Sequence, residues 1–299
     1  MLQGDFVVRK VKVDISGLIK KGISSLNNGD YAQALHFLKR AVELRPSNRD
    51  ALYSLADFYK RLGELEPAID CYTRVITHYP LDTESYVHRA ACRLNNGDYI
   101  NALSDINMAI TYEGPTEGIL LMRADVFASL RLWDEAIQEY NGLLKKNGEL
   151  AEALLGRGFC YESKTDFESA IKDYSAGMEL LPDDYIFYCR RSICYLRIGK
   201  THNAIIDAEK SVELGDYPET YYCRSLAYAT IKETQKALLD VKNTLDLDTE
   251  SELDLEKHFL NETGFETLHT SPRYKGLLES HFGVEIPGLA DETVKSKKD

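Results

Sequence analysis

The chain has 299 residues, 44% of them hydrophobic and 28% charged, enough apolar material to build a core and too much for a disordered chain. A net charge of -12 works against nucleic acid and anionic membrane surfaces, because both need concentrated Lys and Arg. The partners favoured by this balance are other proteins.

Residues 1–14 read as an N-terminal arm. Val7, Arg9, Val11 and Val13 alternate as in a short strand or in an arm lying on the helical region that begins at residue 15, and both readings stay open. Arg9, Lys10 and Lys12 interrupt the valines, so the arm lacks the apolar region of a signal peptide. No window approaches the ~18 apolar residues of a membrane span. Six cysteines (Cys71, Cys92, Cys160, Cys189, Cys194 and Cys223) show neither C-x-x-C pairing nor zinc-finger spacing. They read as reduced thiols, and the protein is expected to be cytoplasmic.

From residue 15 the sequence repeats. Ala34, Ala68, Ala102, Ala136, Ala170 and Ala204 stand 34 residues apart, and Ala237 comes after 33. Twelve residues before each alanine is another small residue: Gly22, Ala56, Ala90, Ala124, Gly158, Ser192 and Ser225. Small side chains at both places let two antiparallel helices approach closely. Between them lies a turn, written Asn28-Gly29-Asp30-Tyr31 and again Asn96-Gly97-Asp98-Tyr99. Gly29 and Gly97 suit a left-handed C-cap, and Asp30 and Asp98 suit the N-cap of the next helix. Gly63 and Gly199 occupy the same slot, and Pro46, Pro80 and Pro182 close their units. The units are placed at 15–48, 49–82, 83–116, 117–150, 151–184, 185–217 and 218–251.

A period of 34 residues, small at its eighth place, alanine at its twentieth and proline near its end, resembles the tetratricopeptide repeat (TPR). Repeat one, with Gly22, Gly29, Asp30, Tyr31, Ala34, Ala41 and Pro46, is close to the family pattern. Repeats four and seven depart from it, having Arg131 and Lys232 in place of the turn glycine and no closing proline. The resemblance covers about residues 15–251. It implies an all-α, right-handed superhelical α-solenoid of seven helix-turn-helix units, with the first helices lining a concave groove.

Repeats three to seven also carry an arginine just before the small residue and an acid sixteen residues later. The pairs are Arg89 with Asp105, Arg123 with Glu139, Arg157 with Asp173, Arg191 with Asp207, and Arg224 with Asp240. Repeats one and two lack both members together, with Lys21 and Phe37, then Leu55 and Cys71. Joint presence or absence points to structural ion pairs rather than ligand-binding arginines. Trp133 stands where other repeats have Tyr31, Tyr99 or Phe167, and reads as packing between neighbouring repeats.

After residue 251 the period stops. Residues 252–289 read as a helical capping segment, since an open solenoid must cover its last apolar face. Ser251 caps an amphipathic stretch with Leu253, Leu255, Phe259 and Leu260. Thr263 to Thr270 and Ser271 to Gly283 read as two short helices, with Phe265, Leu268, Tyr274, Leu277, Leu278 and Phe282 as the covering residues. Residues 290–299 are polar, end in Lys295, Lys297 and Lys298, and are expected to be disordered.

No phosphate-binding glycine loop, G-x-S-x-G or H-E-x-x-H occurs, and no two histidines stand at i, i+4. The reading is therefore a non-enzymatic scaffold or adaptor with no cofactor and no metal. Its candidate partner-binding groove contains Asp50, Tyr53, Asp57, Glu84, His88, Leu121, Asp125, Glu152, Phe159 and Tyr222. Acids outnumber the cations Lys60, Arg61 and Arg197 there, so a basic or amphipathic protein segment is the expected ligand. Co-chaperones of this family clamp a C-terminal carboxylate with Lys, Asn and Arg. At those places this chain has Ile19, Ile23, Ser54, Glu84 and His88, so the clamp is absent. The alternative is a regulatory or co-chaperone-like module, associated with an enzyme or chaperone but without that clamp.

Overall fold

A computed structural model describes residues 14–248, 259–260 and 262–283. The expected N-terminal arm, Ser251, Leu253 and Leu255, and the polar tail beyond 290 lie outside the described residues, apart from Asp14 at the end of the arm. The chain divides into two compact units, residues 1–132 and 133–299. Among the described residues all regular structure is helical.

The first unit contains α1 (Ile15–Asn27), α2 (Tyr31–Leu44), α3 (Arg49–Arg61), α4 (Leu65–His78), α5 (Thr83–Asn95), α6 (Tyr99–Glu113) and α7 (Glu117–Ser129). The second contains α8 (Trp133–Lys146), α9 (Ala151–Ser163), α10 (Phe167–Leu180), α11 (Tyr185–Arg197), α12 (Thr201–Leu214), α13 (Pro218–Thr230) and α14 (Thr234–Leu247). A 3-10 turn (Thr263–Phe265) and α15 (Pro272–Phe282) come after them. Within each unit consecutive helices pack on one another, so that α1 lies on α2, α2 on α3, and likewise from α8 to α14. The two helices of repeat four, α7 and α8, fall in different units.

The periodic small residues explain this packing. Ala34, Ala68, Ala102, Ala136, Ala170, Ala204 and Ala237 are all fully buried. A Cβ built on Gly22 would stand 2.6 Å from the Leu38 side chain, and one on Gly158 would stand 2.5 Å from the Tyr174 ring. Each glycine thus makes room for a bulky residue sixteen places on, on the facing helix.

The turn slot is left-handed in every repeat. Gly29, Gly63, Gly97 and Gly199 have φ between 73° and 77°, while Arg131, Thr165 and Lys232 hold φ of 59°, 61° and 63°. In repeat one this conformation lets the Asp30 N–H reach back to the Ser25 carbonyl at 2.9 Å, satisfying an orphan acceptor of α1. Asp30 then accepts the Gln33 N–H at 3.0 Å as an N-cap. Asp98 differs from expectation: its carboxylate accepts the Asn101 side-chain amide instead, at 2.9 and 3.0 Å.

Four of the five arginine–acid pairs lie within a single unit, and the structure brings each of them together. Arg157 donates from Nε and Nη2 to both oxygens of Asp173 at 2.8 and 2.6 Å. Arg89 and Asp105, Arg191 and Asp207, and Arg224 and Asp240 repeat this two-pronged geometry. The remaining Nη1 reaches the preceding repeat, donating to Thr73 from Arg89, to Asn141 from Arg157 and to Ser175 from Arg191. One guanidinium therefore ties three helices.

The end of the second unit is covered by Phe259, Phe265, Leu268, Tyr274 and Leu278, all fully buried with Leu238, Val241 and Leu245 of α14. The segment from Thr263 to Thr270, expected as a helix, is a 3-10 turn continued by further turns. Its i, i+3 bonds from Phe265 to Glu262 and from Leu268 to Phe265 put Phe265 and Leu268 on one side, where both bury. Gly264 allows that approach, since a Cβ there would meet Leu226 at 2.3 Å.

Both the ion pairs and the strained turn bear on stability. Arg157→Leu should cost about 3 kcal/mol because it strands the buried Asp173, whereas Arg157→Leu with Asp173→Leu should cost clearly less. Chemical denaturation of both variants decides, and equal losses would contradict the buried-pair account. Thr165→Gly should stabilise by about 1 kcal/mol, since a β-branched residue is the poorest choice for a left-handed turn. An unchanged or lowered denaturation midpoint would show that Thr165 is not strained.

Candidate functional site

The residues expected to line a groove fall into two groups, one in each unit. In the first unit, α3 and α5 lie side by side through polar and ring contacts. Arg49 is the node. Its Nε donates to Asp82 at 2.6 Å, its Nη2 donates to Glu84 at 2.7 Å, and its guanidinium lies 4.3 Å from the Tyr53 ring centre. The Tyr53 hydroxyl donates to Asp82 at 2.8 Å, and Ser85 Oγ lies within hydrogen-bonding reach of both. Burial alone would raise the Asp82 pKa, but hydrogen bonds from Arg49, Ser85 and Tyr53 outweigh it and hold the carboxyl below its usual range.

His88 completes this group. Its ring stacks on Tyr72 at 5.6 Å and meets Tyr53 edge-on at 5.9 Å, and its Nε2 stands 3.7 Å from Glu84. Burial lowers its pKa, and Lys60 pushes in the same direction against the opposing pull of Glu84 and Asp57. The structure thus brings Tyr53, Glu84 and His88 together. Asp57 sits one turn from Arg61 and pairs with it at 3.1 Å. Asp50 is exposed on α3, and Leu121 and Asp125 are half-buried one turn apart on α7.

Sequence reasoning missed Arg49, Asp82 and Ser85. Arg49 reaches forward by 33 and 35 residues, into the last residue of its own repeat and the first turn of the next. A search for charge pairs offset by about one period would have found it.

In the second unit, Glu152 is exposed in the first turn of α9, and Phe159 lies further along the same helix with 38% of its surface exposed. Trp133 meets Phe159 edge-on at 6.0 Å, and Arg190 of α11 lies 5.3 Å from the Phe159 ring centre. Tyr222 of α13 makes edge contacts with Phe259 and Phe265 at 5.5 and 5.8 Å. Its other side lines a cavity between α11, α13 and the terminal segment. All six cysteines are buried free thiols, and burial pushes Cys71 up to about 11. Among the described residues no cluster of three or more His, Cys, Asp or Glu could hold a metal ion, and no helix is long and apolar enough to cross a membrane.

These features meet known proteins at one point. Models of the tetratricopeptide repeat match residues 25–92 and 121–185. The chain carries tetratricopeptide repeats.

A tetratricopeptide repeat protein from Parabacteroides merdae superposes with a TM-score of 0.71 over 83% of this chain and 97% of its own, at 23% identity. The fold is accordingly that family's all-α repeat solenoid. Human sperm-associated antigen 1 is 23% identical over 241 residues, 78% of this chain and 26% of that protein. Human serine/threonine-protein phosphatase 5 is 28% identical over 158 residues, 51% of this chain and 31% of the phosphatase. DnaJ homolog subfamily C member 3 from Bos taurus is 24% identical over 298 residues, 96% and 55% of the two chains. The chain thus spans between a quarter and just over half the length of these relatives.

The lowered pKa of His88 has a measurable consequence for stability. The unfolded chain takes up that proton more readily than the folded one. The stabilising contribution is therefore complete above the ordinary histidine value of 6.5 and is lost as pH falls from there through the lowered folded value. His88→Phe, which keeps a ring against Tyr72, should flatten the loss of stability below that value relative to wild type. Parallel slopes in denaturation experiments across this range would contradict the assignment.

Proposed function

We propose that this protein is a non-enzymatic scaffold or adaptor that holds a peptide or helical segment of another protein on the faces lined by its first helices. Tetratricopeptide repeats mediate protein–protein contacts, and here the seven repeat alanines are fully buried while Ile23 of α1 and Phe159 of α9 stay exposed on first helices. The observation that carries the reading is the combination at α3 and α5. There the rings of Tyr53 and His88 are half-exposed beside the acids Asp50, Asp57 and Glu84. Aromatic surface bordered by charge is the usual composition of a protein-binding patch.

The favoured ligand is a basic or amphipathic segment. Glu84 and Asp57 are already matched by Arg49 and Arg61, so the acid left for a ligand cation in this group is Asp50. The net charge of -12 supports the same preference and disfavours nucleic acid and membrane surfaces. Buried free thiols fit a cytoplasmic setting.

A second reading takes the chain as a regulatory or co-chaperone-like module. Its support is the kind of relative it matches: a protein phosphatase and a DnaJ homolog. Lacking the carboxylate clamp, such a module would grip its partner through an internal segment rather than a C-terminus.

Panning a displayed peptide library against the full chain tests the leading reading. Enriched peptides should carry Lys or Arg beside an apolar residue. They should lose about tenfold in affinity for Asp50→Lys, which breaks no ion pair, and more for Asp50→Lys with Glu84→Lys. Enrichment without any basic preference, or affinity unchanged in both variants, would remove the site from α3 and α5.

A further inference from the structure

The cavity beside Tyr222 lies in the second unit and has a volume of about 190 Å³. Pockets for drug-sized ligands and cofactors run to roughly 300–1,000 Å³. The space suits one large side chain and not a whole small molecule. Its apolar lining comes from Ile186 and Ile193 of α11 and from Tyr222 and Leu226 of α13.

The charges among its lining residues are unevenly satisfied. Arg197 grips both oxygens of Glu262 at 2.8 and 2.7 Å. Glu162 stands 3.6 Å from Arg190 and also accepts the Tyr174 hydroxyl at 2.8 Å. Glu219, in the first turn of α13, forms no ion pair among the described residues, although its backbone carbonyl lies 3.8 Å from Cys189 Sγ. Of two arginines and three glutamates, Glu219 is the charge left over.

One wall does not come from a repeat. Glu262 immediately precedes the 3-10 turn, and it is positioned because Phe265 and Leu268 are buried and Gly264 sits against Leu226. The terminal segment that covers the last repeat therefore also closes this cavity. Arg190, another lining residue, extends the surface outward by lying over the exposed Phe159 ring.

We propose that this cavity is an anchor pocket for a partner protein's segment. It takes one phenylalanine- or leucine-sized side chain, sets a neighbouring Lys or Arg of that segment against Glu219, and uses Phe159 as an apolar shelf outside. This rests on the reading of the first-helix faces as protein-binding. It adds a specific anchor and makes the terminal segment part of the site. A deeply desolvated anchor surrounded by a charged rim is the arrangement that concentrates binding energy in few residues.

The test uses the full chain and a fluorescein-labelled peptide, Gly-Ser-Lys-Ala-Phe-Ala-Lys-Ser-Gly, with methyl NMR of Ile186, Ile193 and Leu226 as the local readout. The peptide should shift these methyls saturably, and its Phe→Ala version should bind at least about tenfold more weakly. Glu219→Lys should weaken the lysine peptide about tenfold and restore affinity for a version with both lysines changed to glutamate. Ile193→Trp, which fills the cavity without touching the rim charges, should abolish the methyl response while the thermal midpoint is retained. Equal binding of the Phe and Ala peptides, or no charge-swap rescue at Glu219, overturns the proposal. If the library-selected peptides bind wild type and keep their affinity in Ile193→Trp, the pocket fails while the protein-holding reading stands. If none of them binds wild type, both fail.

Discussion

Two helices can pack as closely as those of each repeat only where one backbone meets the other with almost nothing between them. Alanine at the twentieth place of each unit, fully buried in all seven, sets that distance, and the small residue twelve places earlier receives the facing helix. In two repeats that earlier residue is glycine, and a Cβ there would collide with the residue it faces, Leu38 for Gly22 and Tyr174 for Gly158. The left-handed turn, the arginine–acid pairs and the spacing of the first helices all presuppose this contact. A larger side chain there would force the hairpin open, and overpacked cores of this kind typically lose about 1–3 kcal/mol.

On that frame the arginine–acid pairs act across two distances at once. Arg89, Arg157, Arg191 and Arg224 each close their own hairpin through two parallel bonds, and the first three also reach a polar side chain of the repeat before. The geometry orients successive hairpins, because a planar fork with fixed donors satisfies three helices in only one arrangement. Repeats one and two have no such pair of their own, and repeat two is tied to repeat three additionally through Arg49, which links α3 to Asp82 and to Glu84 of α5. The same arginine neutralises an acid that the sequence pattern presents as free for a ligand, so structural cohesion and surface charge are coupled in the first unit.

The terminal segment shows a comparable double use. Its aromatic residues shield the apolar flank of α14, as an open-ended repeat array requires. The same docking carries Glu262 to Arg197, 65 residues earlier in the chain. A cover that only hid hydrophobic surface would have no need of a bidentate ion pair at its edge.

The sequence by itself determined the repeats, their register, the turn slot and the arginine–acid pairing. All of these are local: they recur every 34 residues and link positions at most sixteen apart within one hairpin. It also assigned Tyr53, Glu84 and His88 to first helices, because position within a repeat specifies which helix face a residue occupies. Only the tertiary structure decided what those side chains touch. The quenching of Glu84 by Arg49, the pairing of Asp57 with Arg61, the stacking of His88 on Tyr72 and the cavity walled by Glu262 depend on rotamers and on contacts between separate elements. The short helix expected at Thr263 to Thr270 became a 3-10 turn for the same reason. Burying Phe265 and Leu268 together against the last repeat outweighed local helical preference, and that competition is invisible until the surface they cover exists.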